Sequence, residues 1–167
     1  AEIEISEPQI QLTDEGYSLS ANFVFEFNQR LEEAVNKGVV LHFVADFELS
    51  KPRWYWLDDK ALTRSQTYRL SYHALTRQYR LSTGGLHQSY SSLSDALLML
   101  SRLRNWGVIE KADKGVKPGE SYLAALRMRL DINQLPRPFQ LSAIGNKEWS
   151  LASEWKSWSV TLPVETK

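Results

Sequence analysis

The sequence predicts a mainly β protein, an antiparallel β-sandwich or open barrel with two short α-helices packed on it. Three observations support this class. Apolar and polar residues alternate over several stretches, turn signals rich in Gly, Asp and Pro separate those stretches, and the strand–helix–strand rhythm of a parallel sheet is missing. The chain of 167 residues has the length of a single domain, 1–167, and we expect the core to span about residues 3–162.

The alternation is clearest in three stretches, residues 17–27, 39–49 and 122–132. Each places large apolar side chains on one face and polar side chains on the other. Such a period of two is typical of strands with one buried face. A further strand over residues 2–13 contains Pro8, which cannot donate to a sheet ladder, so we expect this strand to lie at a sheet edge or to bend.

The remaining strands are shorter or less regular. A short aromatic strand is predicted over residues 53–57, followed by a turn at residues 58–60. Three successive strands, 66–74, 76–83 and 86–90, should follow, with Tyr68, Tyr72 and Tyr79 facing the core. Near the end of the chain the expected strands are residues 141–144 and 158–162.

Two helices are predicted from capping signals. Asn28 is placed to cap a helix over residues 29–37, and Ser92 opens a capping box before a longer helix over residues 93–105. After that helix, residues 108–120 have the Lys-Gly and Pro-Gly punctuation of a loop. Residues 135–139 contain two prolines and are expected to be extended and outside any sheet.

Composition excludes several kinds of site. The chain has no cysteine, so it has no disulfide, zinc–thiolate site or thiol nucleophile. Its net charge is zero, which disfavours sequence-independent nucleic-acid binding. The charge is uneven, however: residues 1–51 hold ten acids and three bases, and residues 52–105 hold three acids and eight bases. This asymmetry predicts either pairing between acidic and basic strands or a polarised surface for a partner.

Catalytic and metal-binding motifs are missing from the sequence. The three histidines are His42, His73 and His87. His42 shares a strand face with Asp46, so a His/Asp/Ser arrangement with Ser71 or Ser89 is geometrically possible, and the histidines could meet Asp46 or Asp131 around a metal. Without a spacing that identifies the third group, the prediction is a protein that is not an enzyme, with no catalytic residue, no metal and no cofactor.

Arginines and tyrosines interleave over residues 64–80, a pattern that also suits stacking on nucleic-acid bases. The tyrosines fall on the core-facing phase, however, and the acidic first third would repel a polyanion, so we predict no nucleic-acid partner. The outward arginines and histidine and several tryptophans are better candidates for a binding surface. The candidate binding residues are Trp54, Trp56, Arg69, His73, Arg80, Arg127, Arg129 and Trp155.

Five ordered motifs resemble the bacterial family called domain of unknown function 4390. They are LEEAVNKGVVLHFVADFEL, PRWYW, LSYHALTRQYRLSTGG, LRMRLDINQLPRPFQL and WSLASEWKSW. The resemblance implies a proteobacterial protein exported to the periplasm with its signal peptide removed, often encoded beside a sensor kinase of the nitrogen-regulation type. It implies no catalytic residues.

Together, the residues and the resemblance predict a periplasmic accessory module that binds a protein partner, such as the ectodomain of a sensor histidine kinase. Two alternatives stay open. One is a domain that binds a small ligand or glycan through exposed Trp54, Trp56 or Trp155. The other is a hydrolase built around His42 or His73.

Overall fold

A computed structural model describes residues 2–51 and 59–165. Strands make up 54% of the structure and all of the sheets are antiparallel, with no closed barrel, which confirms the predicted mainly β class. The strands are β1 (Ile3–Thr13), β2 (Gly16–Phe25), β3 (Leu41–Lys51), β4 (Asp59–His73), β5 (Gln78–Thr83), β6 (Leu86–Tyr90), β7 (Arg102–Glu110), β8 (Ser121–Leu130) and β9 (Lys156–Thr161). The helices are α1 (Gln29–Asn36), α2 (Leu93–Leu100) and α3 (Arg137–Ala143), with short 3-10 turns at Ile132–Gln134 and Lys147–Trp149.

The strands form two sheets. The three-stranded sheet has the order β1-β2-β7, and the six-stranded sheet has the order β6-β5-β4-β3-β8-β9. The two sheets pack against each other across β2, β3 and β7. There, the rings of Phe25 and Phe43 meet edge to face at 5.7 Å, and those of Phe47 and Trp106 at 6.4 Å. Such edge-to-face pairs are favoured by the aromatic quadrupole, so they fix the sheets' relative position.

The alternating stretches bury the face that the sequence predicts. In β2 the side chains of Tyr17, Leu19, Ala21 and Phe23 are buried, and in β3 and β8 every second residue is likewise apolar and buried. Tyr68, Tyr72 and Tyr79 are partly buried and pack against this core. The edge position expected for the strand with Pro8 is also correct, since β1 is the outer strand of its sheet, with a register shift between Ser6 and Gln9.

The N-terminal caps are as predicted. The Asn28 side chain accepts a hydrogen bond from the Leu31 amide at 2.9 Å, and Ser92 Oγ accepts one from the Asp95 amide at 3.1 Å. The second helix is shorter than expected, however. It ends at Leu100, and β7 begins at Arg102, so the predicted helix over residues 93–105 and the predicted loop from residue 108 are both wrong in this region.

Two register shifts explain why β7 is difficult to recognise from the sequence. Its pairing with β2 is interrupted between Tyr17 and Ser18 and again between Leu19 and Ala21. Asn105 also has a positive φ of 55°. Bulges of this kind break the strict period of two, so the buried residues Leu103, Val108 and Ile109 do not alternate along the strand.

Three further expectations need correction. Asp59 already pairs with Lys51 as the start of β4, so the turn predicted at residues 58–60 does not extend through it. The strand predicted at residues 141–144 is the end of α3, and Pro138 lies in the first turn of that helix, where its missing N–H costs nothing. The short aromatic strand predicted at residues 53–57 lies outside the described residues.

Candidate functional site

The side of the six-stranded sheet that points away from the three-stranded sheet is called here the outer face. It carries every candidate binding residue that lies on a described strand. Because side chains alternate along each strand, the buried Leu70 and partly buried Tyr68 of β4 leave Arg69, Ser71 and His73 on this face. The same alternation places Arg80 of β5 and Arg127 and Arg129 of β8 there.

Asp46 of β3 is the centre of a polar network on the outer face. Arg127 Nε donates to Asp46 Oδ2 at 2.9 Å, and Arg129 Nε donates to the same oxygen at 3.2 Å. Ser65 Oγ donates to the other oxygen, Oδ1, at 2.7 Å. One carboxylate thus joins the neighbouring strands β4 and β8 through β3.

The environment of Asp46 acts on its acidity in two directions. Burial of the carboxyl raises its pKa, but the hydrogen bonds from Ser65, Arg127 and Arg129 lower it further than burial raises it. The pKa of Asp46 therefore lies below 3.8, its ordinary value. Because hydrogen bonds to the charged form favour ionisation, Asp46 is an anion at neutral pH and holds the two arginines in place.

A row of polar side chains crosses the outer face beside this network. The row follows the register of the strands and contains His87, Ser82, Arg69, His42 and Asp131. The Nδ1 atom of His42 is buried and has no hydrogen-bond partner among the described residues. Burial and then the nearby Arg69 charge lower the pKa of His42 below 6.5, although Asp131 opposes them. His42 is therefore neutral at physiological pH.

The half of the outer face formed by β4, β5 and β6 is basic, and it is called here the basic half. Residues 61–91 contain no Asp or Glu. Arg69 and Arg80 form no ion pair with any residue that the structure describes. Arg69 Nη2 donates only to the Gly84 carbonyl at 3.3 Å, and the buried Arg80 Nε has no partner within the described ranges. The two guanidinium groups therefore retain donors for an external acceptor.

The opposite half of the outer face is balanced in charge. Arg127 and Arg129 share Asp46, and Arg129 Nη1 also approaches Asp131 at 4.0 Å. Beside them, the Trp155 ring lies 4.6 Å from the Arg127 guanidinium carbon in a cation–π contact, and Trp155 is 38% exposed. Arg127 is therefore held from two sides, and Trp155 provides an aromatic edge to this half.

The six tryptophans occupy different environments. Trp149 is buried at 2% exposure, Trp106 and Trp158 are partly buried against the core, and Trp155 is exposed. Trp54 and Trp56, both candidate binding residues, lie outside the described residues. Of the tryptophans proposed for ligand stacking, Trp155 is thus the one whose exposure the structure describes.

The histidines lack the arrangement of a hydrolase in the described part of the chain. Ser71 Oγ lies 3.4 Å from His73 Nε2, but no described carboxylate forms a hydrogen bond with either His73 or His42. A triad needs a third group that orients the base. Across residues 2–51 and 59–165, no group of three or more His, Asp or Glu side chains is placed to hold a metal ion.

Sequence reasoning located the outer-face arginines but missed how they are organised. The sequence assigned Arg102 and Arg104 to the last turn of a helix, whereas both lie on β7. The role of Asp46 was also missed, because Asp46 is 81 residues from Arg127 and no local pattern connects them. The alternation in the sequence predicted the sheet face on which each residue lies. Its neighbours on that face depend on the order of the strands, which the sequence did not show.

The fold and this surface define a β-sandwich domain with an arginine-bearing outer face. A family model described as "Domain of unknown function (DUF4390)" matches residues 1–159, and the chain belongs to this family. This confirms the family suggested by the five sequence motifs. Searches of curated proteins and of solved structures gave no match. None of the helices in the described ranges is both long and apolar enough to cross a membrane.

Proposed function

We propose that this protein is a non-enzymatic binding module that acts in the periplasm and docks an acidic protein surface on its basic half. The observation that carries the proposal is that Arg69 and Arg80 have no ion-pair partner among the described residues and lie on a segment with no acidic residue between positions 61 and 91. Arginine is favoured at interfaces because its planar fork binds carboxylates in two places.

The layout of the outer face supports a large partner rather than a small one. Arg69 and Arg129 lie on strands two positions apart, about 10 Å, and they are also offset along the strands, since Arg69 pairs with His42 and Arg129 with Val44 of β3. A sheet face with fixed charges is suited to protein recognition, in which complementary potentials set orientation and association rate.

The kind of partner follows from the resemblance described above. The candidate is the extracytoplasmic domain of a membrane sensor kinase encoded beside the protein, and the expected role is that of an accessory to that kinase. The contact is expected to be electrostatically steered, since the basic half would attract an acidic patch before docking.

The test measures binding of that kinase domain to the whole protein by isothermal titration calorimetry. The variant Arg69→Glu/Arg80→Glu should weaken binding at least tenfold, on the order of 1.4 kcal/mol or more, because two attractive contacts become repulsive. The matched control is Lys111→Glu/Arg137→Glu, which makes the same charge change at two exposed residues away from the outer face.

If both double variants lost the same affinity for the kinase domain, the net charge of the protein rather than the basic half would account for binding. No detectable binding of the kinase domain to the unmodified protein would count against this partner. Normal binding by Arg69→Glu/Arg80→Glu would refute the proposed surface itself.

Exposed Trp155 favours a second candidate, the stacking of a sugar ring in a glycan. Aromatic side chains bind the apolar faces of sugars, and this indole is 38% exposed beside the Arg127 guanidinium. Quenching of tryptophan fluorescence by a panel of oligosaccharides, lost in Trp155→Ala and kept in Trp158→Phe, would support it. No saturable quenching by any oligosaccharide would remove this candidate.

A further inference from the structure

A groove lies between the sheets on the opposite side from the outer face, and it is called here the inter-sheet groove. The three-stranded sheet covers only part of the six-stranded one, and the short helix α2 covers part of the rest. The gap has a volume of about 750 Å³, within the roughly 300–1,000 Å³ of small-molecule sites. Its lining residues are Asn22, Phe23, Gln66, Tyr68, Thr83, Met99, Ser101, Arg102 and Arg104.

The groove carries positive charge and no carboxylate. Arg104 is fixed by Nη1 donating to the carbonyls of Ala21 at 2.9 Å and Leu103 at 2.8 Å, and by Nη2 donating to Asn22 Oδ1 at 2.6 Å. These acceptors are all neutral, and the Glu7 carboxylate is connected to Arg104 only through Asn22, whose Nδ2 donates to Glu7 Oε2 at 2.9 Å. Of the five N–H groups of a guanidinium, Nε–H and one Nη2–H remain unused in these contacts.

Arg102 is the second cation of the groove. Its side chain is exposed and forms no hydrogen bond or ion pair with any described residue. Arg102 pairs through its backbone with Asn22, and Arg104 donates to the side chain of the same residue. The two guanidinium groups therefore belong to one end of the groove, where they could hold the two oxygens of one anionic head group.

Tyr68 provides a neutral donor on the floor of the groove. Burial raises its pKa to about 12, so the hydroxyl keeps its proton at neutral pH. No described residue forms a hydrogen bond with this hydroxyl, whereas its neighbours are engaged: Gln66 Nε2 donates to Thr83 Oγ1 at 2.9 Å, and Thr83 Oγ1 donates to the Thr67 carbonyl at 3.2 Å. The Tyr68 hydroxyl is not one of the buried polar atoms that lack a partner, so it is open to water and can donate to a ligand in the groove.

The apolar part of the groove lining comes from Phe23, Met99 and the Tyr68 ring. Phe23 is 3% exposed and forms the inner end, while Met99 is 41% exposed at the side formed by α2. The register continues the floor from Tyr68 through Thr83 to Leu86. Leu86 of β6 is 78% exposed, and Leu98 of α2, a helix that contacts β6, is 50% exposed. An apolar ligand body lying over these side chains would remove their surface from water.

We propose that the inter-sheet groove binds an apolar monocarboxylate, with the carboxylate at Arg102 and Arg104 and the hydrocarbon body between Phe23, Met99 and the Tyr68 ring. The unused guanidinium donors match one planar anionic head, and the donor of Tyr68 matches a second hydrogen bond to it. This site is separate from the basic half, because Tyr68 and Arg69 point to opposite faces of β4.

The test uses octanoate as the probe and two-dimensional ¹H–¹⁵N NMR of the full protein as the readout. We expect saturable shifts in the backbone amides of Phe23, Thr83 and Arg102 and none in those of Ser65 and Arg127 on the outer face. Octanol lacks the charge and acetate lacks the apolar body, so each should bind at least tenfold more weakly. Octyl phosphate tests whether a doubly charged head group is preferred.

Two variants separate binding from folding. Arg102→Gln changes an exposed side chain, and Tyr68→Phe removes only the unpartnered hydroxyl, so both should fold normally. Each should weaken octanoate binding about tenfold, the effect of one charge-assisted hydrogen bond. Arg30→Gln is the matched control, since Arg30 pairs with Glu148 at 3.0 Å on another surface, and it should bind as the unmodified protein does.

Equal affinity for octanoate and octanol, or unchanged binding in Arg102→Gln, would overturn the proposed head-group site. Tighter binding of octyl phosphate would reassign the ligand class from carboxylate to phosphate monoester. Shifts confined to the outer face, or no saturable shift, would overturn the site itself. These results are independent of kinase binding, so the two proposals can fail separately.

Discussion

Arg64 and Asp113 form a two-pronged ion pair that connects the two sheets. Arg64 lies on β4 of the six-stranded sheet, and Asp113 lies in the loop after β7 of the three-stranded sheet. One nitrogen, Arg64 Nη2, is 2.8 Å from Asp113 Oδ1 and 2.9 Å from Oδ2. Asp113 Oδ2 also accepts from the Glu110 amide at 2.7 Å. The same carboxylate therefore stabilises the turn after β7 and binds Arg64 of the other sheet.

The first prediction concerns this pair. Arg64→Gln should lower the free energy of unfolding by about 1 kcal/mol, a discounted value because the Arg64 side chain is 35% exposed. Urea unfolding of Arg64→Gln, Asp113→Asn and the double variant would give the coupling energy between the two residues. The pair Arg30–Glu148, whose side chains are 51% and 55% exposed, is the control. Its removal should lower the free energy of unfolding by about 0.5 kcal/mol or less. Equal effects for the two pairs would show that Arg64 does not connect the sheets energetically.

The second prediction concerns acid stability and Asp46. Its pKa in the folded protein is lowered, so the stability it provides is present above its ordinary value of 3.8 and is lost as the pH falls through the folded-state value. The unmodified protein should therefore lose stability below about pH 4, and Asp46→Asn should lose less over the same interval. Urea midpoints between neutral pH and pH 3 would measure this. Asp95→Asn, at an exposed position on α2, should keep the full acid dependence.

The third prediction concerns His42 in a different pH window. Burial and Arg69 lower its pKa from 6.5 in the folded protein, so the unfolded chain takes up a proton at higher pH than the folded chain. Stability from the neutral imidazole is complete above pH 6.5 and is lost as the pH falls toward the folded-state value. His42→Gln should remove this loss, whereas His87→Gln, at the exposed edge strand β6, should retain it. NMR titration of the His42 ring would show the lowered pKa directly, and a value of 6.5 or above would contradict the prediction.

The fourth prediction concerns Trp149, which packs at the end of the core. It is 2% exposed, and its ring meets that of Phe139 at 5.8 Å, edge to face. Trp149→Ala should cost about 3–5 kcal/mol, because it leaves a large cavity. Trp149→Phe should cost clearly less, about 1–2 kcal/mol, because the Trp149 Nε1–H has no partner in the described residues and no hydrogen bond is lost. Thermal unfolding would measure both, with Trp155→Phe as an exposed control that should change stability little.

The sequence predicted most strongly those parts of the fold in which one face of one element is buried. The sequence predicted β2, β3 and β8 correctly, because a strand that buries one face repeats its apolar residues at every second position. It also predicted the helix caps at Asn28 and Ser92, because these residue types accept hydrogen bonds from the first free amides of a helix. The prediction failed at β7 and α3. In β7 the bulges removed the period. In α3 the prolines suggested an extended chain, but Pro136 is the N-cap residue and Pro138 lies in the first helical turn.

For the candidate sites, the sequence placed Arg69, Arg80, Arg127 and Arg129 on an outward phase, and it showed that residues 61–91 contain no acid. It could not pair Arg127 with Asp46, which depends on β3 lying beside β8. It also could not reveal the inter-sheet groove. Two arginines of the groove, Arg102 and Arg104, lie on β7, which the local pattern predicted to be a helix and a loop.

The sequence by itself determined the β class, the family and the face to which each alternating side chain points. The tertiary structure decided which faces meet. It gave Asp46 its two arginines, left Arg69 and Arg80 with no carboxylate partner among the described residues, and opened a gap beside Tyr68. The physical reason is that alternation is a property of one strand, set by burial of its own face. Ion pairs and cavities are properties of strand order and sheet size, and these arise only when segments far apart in the chain pack together.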